Sequence, residues 1–431
     1  NLPFEFVVIN DSVPNAWALP GGKLAVNRGL LTELKSEAEL AAVLSHEIVH
    51  AAARHGARSV EQGTLLSAGA AIIGVLVADK RHADIIDFAT QGSAALLSLR
   101  FSRAHELEAD HYGIDYMVRA GYDPRAAVEL QETFVRLAGN KSPGWLAGMF
   151  ATHPPSQERV DANRAMAAGL PARLFRGEDV YRQKIAFLIH SKPAYAVHDE
   201  GRKLLDKEPA QALAKADQAI KLEPREAMFH ALHGDALKKL GRAAEAEQDY
   251  SEAIRLNGEY YANHLNRGLL RQRQGNTAGA KIDLERANAL LPTAAAHYVL
   301  GNMAQAGNNQ AKAIEHYRLA AGSQSEVGQR AGSALVRLDL PRNPGNYVQV
   351  EPVADAAGNI GLRVTNRSPV SLRNLRVAGA VPAAGFARDY VLSGGLKPGQ
   401  STVVAMGARL TDFKVGLNQV RGQARSAEAA E

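Results

Sequence analysis

His46-Glu47-Ile48-Val49-His50 places two imidazoles and a carboxylate within five residues. On a helix, residues i and i+4 share a face, so both rings can reach one ion. Neutral imidazole nitrogens suit Zn²⁺. Glu47, beside the first ligand but turned aside, stands where it can take a proton from water at the metal. A helix with two surface histidines would show the same five residues, so the reading needs a further ligand. The segment Ser102-Arg103-Ala104-His105-Glu106-Leu107-Glu108-Ala109-Asp110 offers one. Glu106 and Asp110 lie one turn apart. Glu106 completes a His₂Glu set with an open fourth position, which implies about one Zn²⁺ per chain. Asp110 can accept the outer N–H of a ligating histidine, His46 in first place. Glu108 is the rival to Glu106 as ligand and otherwise belongs to a solvated helix face. His55 and His105 read as structural or surface histidines.

These residues need helices to hold them. From Ser36 to about Arg58 the apolar spacing is helical, with Ser36 and Glu39 forming a capping box. Helical patterning returns from Ile85 to Ala120, then from Pro124 to Ala138 and from Gln157 to Ala168. A loop around Pro143 and a His153-Pro154-Pro155 turn lie between the last two. Ahead of them, Phe4, Phe6 and Val8 alternate as in a strand, and a second extended segment, Ala16 to Val26, bends at Pro20-Gly21-Gly22. The apolar stretch Thr64–Ala78 is shorter than the roughly 20 residues of a spanning helix, and reads as core or cleft wall ahead of peripheral membrane contact.

Beyond a connecting segment at residues 171–194 the chain repeats. Gly234, Gly268 and Gly301 recur at 34 and 33 residues, as do Tyr250, Leu284 and Tyr317. That period is the signature of tetratricopeptide (TPR) helix pairs, expected over 195–340 with a degenerate unit near Tyr195 to Pro224. Stacked pairs form a solenoid with a concave binding surface. After Pro341-Arg342-Asn343-Pro344-Gly345 the period becomes two, which predicts a small antiparallel β-sandwich over 346–415. The polar, Ala-rich residues 416–431 are expected to be disordered. The fold class is therefore multidomain and mainly α: an α+β metallopeptidase-like domain over 1–170, an α-solenoid and a β-rich domain.

Composition narrows the function. The 431 residues carry 50 basic and 45 acidic side chains, a net charge of +5 without long basic runs, and only 6% are aromatic. Neither feature suits nucleic-acid binding. The absence of cysteine removes disulfides, thiolate ligands and thiol nucleophiles. Because the first residue is Asn1, any export signal is expected upstream.

Asn15-Ala16-Trp17-Ala18-Leu19-Pro20-Gly21-Gly22, the HExxH with Arg54-His55 after it, and the SRxxExxAD segment together resemble the family of HtpX and the CAAX prenyl metallopeptidases. With the repeats, the chain is similar to that family's soluble periplasmic, TPR-bearing branch (BepA-like), from which the C-terminal β-rich region departs. The resemblance covers residues 1–170 closely and the repeats by architecture. It implies a gluzincin-like zinc endopeptidase with Glu47 as base, acting on misfolded or stalled envelope proteins. The repeats would recruit these clients or the outer-membrane assembly machinery. It further implies that Pro20, Gly21, Gly22, Lys23 and Leu24 bind substrate, the segment after Gly22 being an edge strand. His153 would match a loop histidine able to take the fourth zinc position, and Arg159 would steady the oxyanion or the loop. A second reading follows from the repeats and His153: a chaperone- or adaptor-like binding protein with a latched, largely inactive protease site.

Overall fold

The computed structural model describes residues 2–63, 101–139, 153–171, 173–392 and 394–430. They form two compact units that divide in sequence between Gly258 and Glu259. Thr64–Ala78 and the segment around Pro143 lie outside the described residues. No helix among the described residues is long and apolar enough to cross a membrane.

The first unit opens with strands β1 (Glu5–Ile9), β2 (Ala16–Leu19) and β3 (Lys23–Asn27). Gly21 and Gly22, at φ +91° and +88°, make the turn between β2 and β3. The order is β1-β3-β2, with β1 parallel and β2 antiparallel to β3. This corrects the expectation for Lys23 and Leu24: their strand is central, paired on both sides, and Leu24 is 1% exposed. The edges of the sheet are β1 and β2.

Helix α1 (Arg28–Leu31) follows, then α2 (Glu37–Ala52). Ser36 Oγ accepts the Glu39 N–H at 3.1 Å, while the Glu39 carboxylate reaches back to the Lys35 N–H at 2.6 Å. The helix expected to run on to Arg58 stops at Ala52. Arg54 adopts φ +57°, a left-handed conformation that costs a non-glycine residue about 1–2 kcal/mol. The chain turns there and starts α3 (His55–Gly63). Helices α4 (Arg103–Arg119), α5 (Arg125–Gly139) and α6 (Gln157–Ala168) complete the layer against the sheet. Leu30, Ala42, Val43, Ile114, Met117 and Leu130 form its core. Each large apolar side chain buried there contributes roughly 1.5–3 kcal/mol.

The presumed connection at 171–194 is mostly helix: α7 runs from Glu178 to Leu204 and includes Pro193. It is fixed to the sheet layer by the buried Tyr181, whose hydroxyl donates to the Leu31 carbonyl at 2.8 Å. Then come α8 (Pro209–Leu222), α9 (Ala227–Lys239) and α10 (Ala243–Leu256). The second unit holds α11 (Tyr261–Arg273), α12 (Thr277–Leu290), α13 (Ala294–Ala306), α14 (Gln310–Ala321) and α15 (Glu326–Asp339). The sequence period has a packing cause. A Cβ on Gly234 would stand 3.1 Å from Tyr250, on Gly268 2.9 Å from Leu284, and on Gly301 2.7 Å from Tyr317. In each TPR-like pair a glycine of the first helix admits a large side chain of the second.

The chain ends in two three-stranded antiparallel sheets. One has the order β4 (Val348–Ala354), β5 (Asn359–Asn366), β8 (Ser401–Arg409), and the other β7 (Phe386–Val391), β6 (Leu372–Val381), β9 (Arg421–Ala429). Leu362, Val377, Met406 and Ala424 belong to one shared core. Strand β9 overturns the expected disorder of 416–431. It pairs with β6 from Ala429 back to Arg421 and buries Ala424 and Ala427.

Candidate metal centre

Helices α2 and α4 cross at Gly113, where a Cβ would stand 3.3 Å from the His46 backbone nitrogen. Glu106, Asp110, Gly113 and Met117 follow the i, i+4, i+7, i+11 stripe of α4, so the close approach at glycine aims both carboxylates at α2. Glu106 and Asp110 are buried, with Glu106 1% exposed.

His46, His50, Glu106 and His153 each offer one ligand atom, all within 4.8 Å of one another. His46 Nε2 lies 3.0 Å from His50 Nε2 and 3.4 Å from His153 Nδ1. Glu106 Oε1 lies 3.4 Å from His50 Nε2 and 3.0 Å from His153 Nδ1, and its Oε2 lies 3.6 Å from His46 Nε2. Ligands held at about 2.0–2.1 Å in a tetrahedron stand roughly 3.3–3.4 Å apart, so the cluster has the dimensions of a zinc site. The donor set also fits. Imidazole nitrogens that point at one another and at a buried carboxylate satisfy each other poorly, and a shared cation satisfies them all.

Electrostatics agree in sign. Burial lowers the His46 pKa, but its interactions with the Asp110 and Glu106 carboxylates outweigh it and raise the ring to about 10. Burial drives His50 well below the usual histidine range. Burial disfavours the Glu106 and Asp110 charges, yet their neighbours hold both carboxyls below the usual carboxylate range, His153, His46 and His50 for Glu106 and Arg159 and His46 for Asp110.

The sequence-derived residues divide clearly. His46, His50 and Glu106 converge, and Asp110 Oδ1 sits 3.0 Å from His46 Nδ1. Glu47 is buried, with Oε1 3.5 Å from His153 Nε2 and Oε2 without a hydrogen-bond partner. His153 therefore joins the cluster through Nδ1 and faces the carboxylate of Glu47 through Nε2. Arg159 is not free to meet substrate. Its Nε and one terminal nitrogen grip Asp110 at 2.7 and 2.8 Å, and the other lies 2.6 Å from Glu106 Oε2. That second nitrogen also donates to the Pro154 carbonyl at 3.2 Å, so Arg159 steadies the His153 loop. Glu108, the rival ligand, points away toward His55 at 3.3 Å. Ala16, Leu30, Ile114, Met117, Leu130 and Phe134 line a mainly apolar cavity that opens on His46 and Glu47.

Sequence reasoning missed three contributors. Gly113 is signalled only by its place on the stripe of Glu106 and Asp110. Phe101 covers His50, with ring centroids 4.0 Å apart. His55, read as structural or on the surface, is fully buried, with Nδ1 3.0 Å from His50 Nδ1.

Residues 1–167 match the family described as Peptidase family M48. Among curated proteins the chain is similar to the mitochondrial metalloendopeptidase OMA1 of Arabidopsis thaliana, 37% identical over 158 residues, 37% of this chain and 30% of the relative. It is similar also to the putative beta-barrel assembly-enhancing protease of Vibrio cholerae, 33% identical over 180 residues, 39% of this chain and 36% of the relative. The Escherichia coli beta-barrel assembly-enhancing protease is 29% identical over 189 residues, 42% of this chain and 38% of the relative. The chain thus spans about a third of the length of these relatives. Among solved structures, the first TPR of Spaghetti bound to an HSP90 peptide is 26% identical with a TM-score of 0.27, covering 28% of this chain and 98% of that one. A crystal structure of MamA is 16% identical with a TM-score of 0.29, covering 38% and 90%.

Proposed function

From the premise that residues 1–167 are a peptidase family M48 domain, we propose that the protein is a zinc-dependent endopeptidase of the bacterial envelope that cleaves misfolded or stalled proteins. The observation that carries the reading is the convergence of His46, His50, Glu106 and His153 within 4.8 Å beside the buried Glu47. His46, His50 and Glu106 would hold the ion. Bound zinc supplies the Lewis acidity that makes water a nucleophile near neutral pH. Asp110 accepts the Nδ1 proton of His46 and fixes its tautomer, leaving Nε2 free to ligate. Arg159 holds Asp110 and Glu106 in place. Glu47 takes the proton of the attacking water and delivers it to the leaving nitrogen, a transfer worth typically about 10²–10⁴-fold in rate.

An extended substrate pairs with the outer edge of β2, unpaired among the described strands, while Ala16 lines the cavity. Pro20, Gly21 and Gly22 shape the end of that edge. The TPR-like pairs, read as a solenoid, recruit clients or outer-membrane assembly machinery, and the C-terminal sheets form a small sandwich. Similarity to the bacterial beta-barrel assembly-enhancing proteases supports a periplasmic setting.

Glu47→Gln tests the reading. The variant should keep its zinc and lose cleavage of an unfolded casein-type substrate by about 10²-fold or more. Cleavage at the wild-type rate would sink it.

The second reading, a latched site, is favoured by His153. It lies 3.0 Å from Glu106, where it would take the fourth position, and 3.5 Å from the Glu47 carboxylate. His153→Ala should then raise the cleavage rate. A rate at or below wild type would mean that His153 restrains nothing.

A further inference from the structure

His46 and His50 are supported differently on their outer sides. The Nδ1 of His46 meets the carboxylate of Asp110 directly, at 3.0 Å. The Nδ1 of His50 meets another imidazole, His55 Nδ1, at 3.0 Å. Beyond it, His55 Nε2 lies 3.3 Å from Glu108 Oε2. His55 is 0% exposed and stacks on His105, with ring centroids 4.4 Å apart and planes 10° apart. The left-handed turn at Arg54 brings His55 back beneath the last turn of α2.

We propose that His55 and Glu108 form an outer relay that positions His50 as a zinc ligand and passes it the charge of a carboxylate. The inference rests on the metal-centre reading above. Its logic is the direction of the protons. If His50 ligates through Nε2, its only proton is on Nδ1 and must be donated. The acceptor at 3.0 Å is His55 Nδ1, which must then be unprotonated. The proton of His55 consequently sits on Nε2 and is donated to Glu108. One arrangement of protons satisfies every nitrogen and ends on an acid, whereas a protonated Nδ1 on His55 would set two N–H groups against each other. Outer partners of ligating histidines are usually carboxylates, backbone carbonyls or water. Here a neutral ring carries the same interaction one residue further, to an acid whose side chain is partly exposed to solvent. His55 is thus a positioning residue, and Glu108 acts through it.

Zinc affinity of the full chain, measured by competition with a chelator of known affinity, tests the relay without reference to catalysis. His55→Leu removes the acceptor and should weaken zinc by about 10–100-fold, the usual cost of losing an outer partner. His55→Asn keeps an acceptor oxygen near the position of Nδ1 and should recover most of that loss. Glu108→Gln, at the accessible end and no threat to folding, should weaken zinc several-fold. Wild-type affinity in His55→Leu or in Glu108→Gln overturns the relay, as does His55→Asn binding as weakly as His55→Leu, which would mark a packing role. A wild-type chain that binds no zinc overturns the metal-centre reading itself, and the relay with it.

Discussion

Two buried charged clusters, one in each unit, behave oppositely. In the second unit Asp283 of α12 is 1% exposed and accepts three hydrogen bonds, at 2.9 and 2.7 Å from Arg267 and 2.9 Å from Arg271. Both arginines lie on α11, so the cluster clamps one helix pair through guanidinium–carboxylate contacts. In the first unit three imidazole nitrogens and a carboxylate oxygen point at one centre, and Glu47 Oε2 beside them lacks a partner. The first arrangement completes itself and reads as structure. The second would be completed by a cation and reads as chemistry. Burial alone does not separate them; the sign and direction of the facing atoms do.

The largest effect that separates the clusters is expected in the repeats. Asp283→Ala would leave Arg267 and Arg271 without their carboxylate, and breaking such a pair costs about 3–5 kcal/mol. Chemical denaturation should show that loss while zinc affinity stays at the wild-type value. A matching fall in zinc affinity would break the comparison. The converse variant, Asp110→Asn, should weaken zinc by about 10–100-fold through loss of the His46 partner. Hydrogen exchange of α11 and α12 should be unchanged in it, and protection lost there would count against the distinction.

The smallest effect concerns pH. Hydrogen bonding to Asp249 outweighs burial and raises the pKa of His233 in α9, while burial opposes the charge of Asp249, which His230 and His233 nevertheless hold below the usual range. A histidine raised on folding stabilises fully below its unfolded pKa of about 6.5, and that contribution is lost as pH climbs through the folded value. Exchange protection of α8 to α10 should therefore decline modestly as pH rises above about 6.5. His233→Gln should flatten the trend, and an unaltered slope would assign it elsewhere.

Much of the centre was legible because i, i+4 spacing fixes a shared helix face without knowledge of the fold. His46 with His50 and Glu106 with Asp110 follow from it, and Glu47 from its place beside His46. What lay between elements was harder to read. The break after α2 sits at Arg54, a left-handed residue that is not glycine and so leaves no sequence mark. The strand order β1-β3-β2 depends on non-local pairing, which put the edge on the wrong strand. Strand β9 buries Ala424 and Ala427, three apart, because the pairing with β6 shifts register near Arg376 and Val377. Period two is lost there, and the segment resembled a tail. Helix α7 contains Pro193, which disguised residues 178–194 as a connection.

The central claim is that this constellation is a zinc site, and elemental analysis after zinc loading and desalting tests it most directly. About one zinc per chain is predicted for the wild type, with nearly complete loss in His50→Ala and retention in Glu47→Gln. A wild-type chain free of zinc, or a His50→Ala chain that keeps it, would contradict the account.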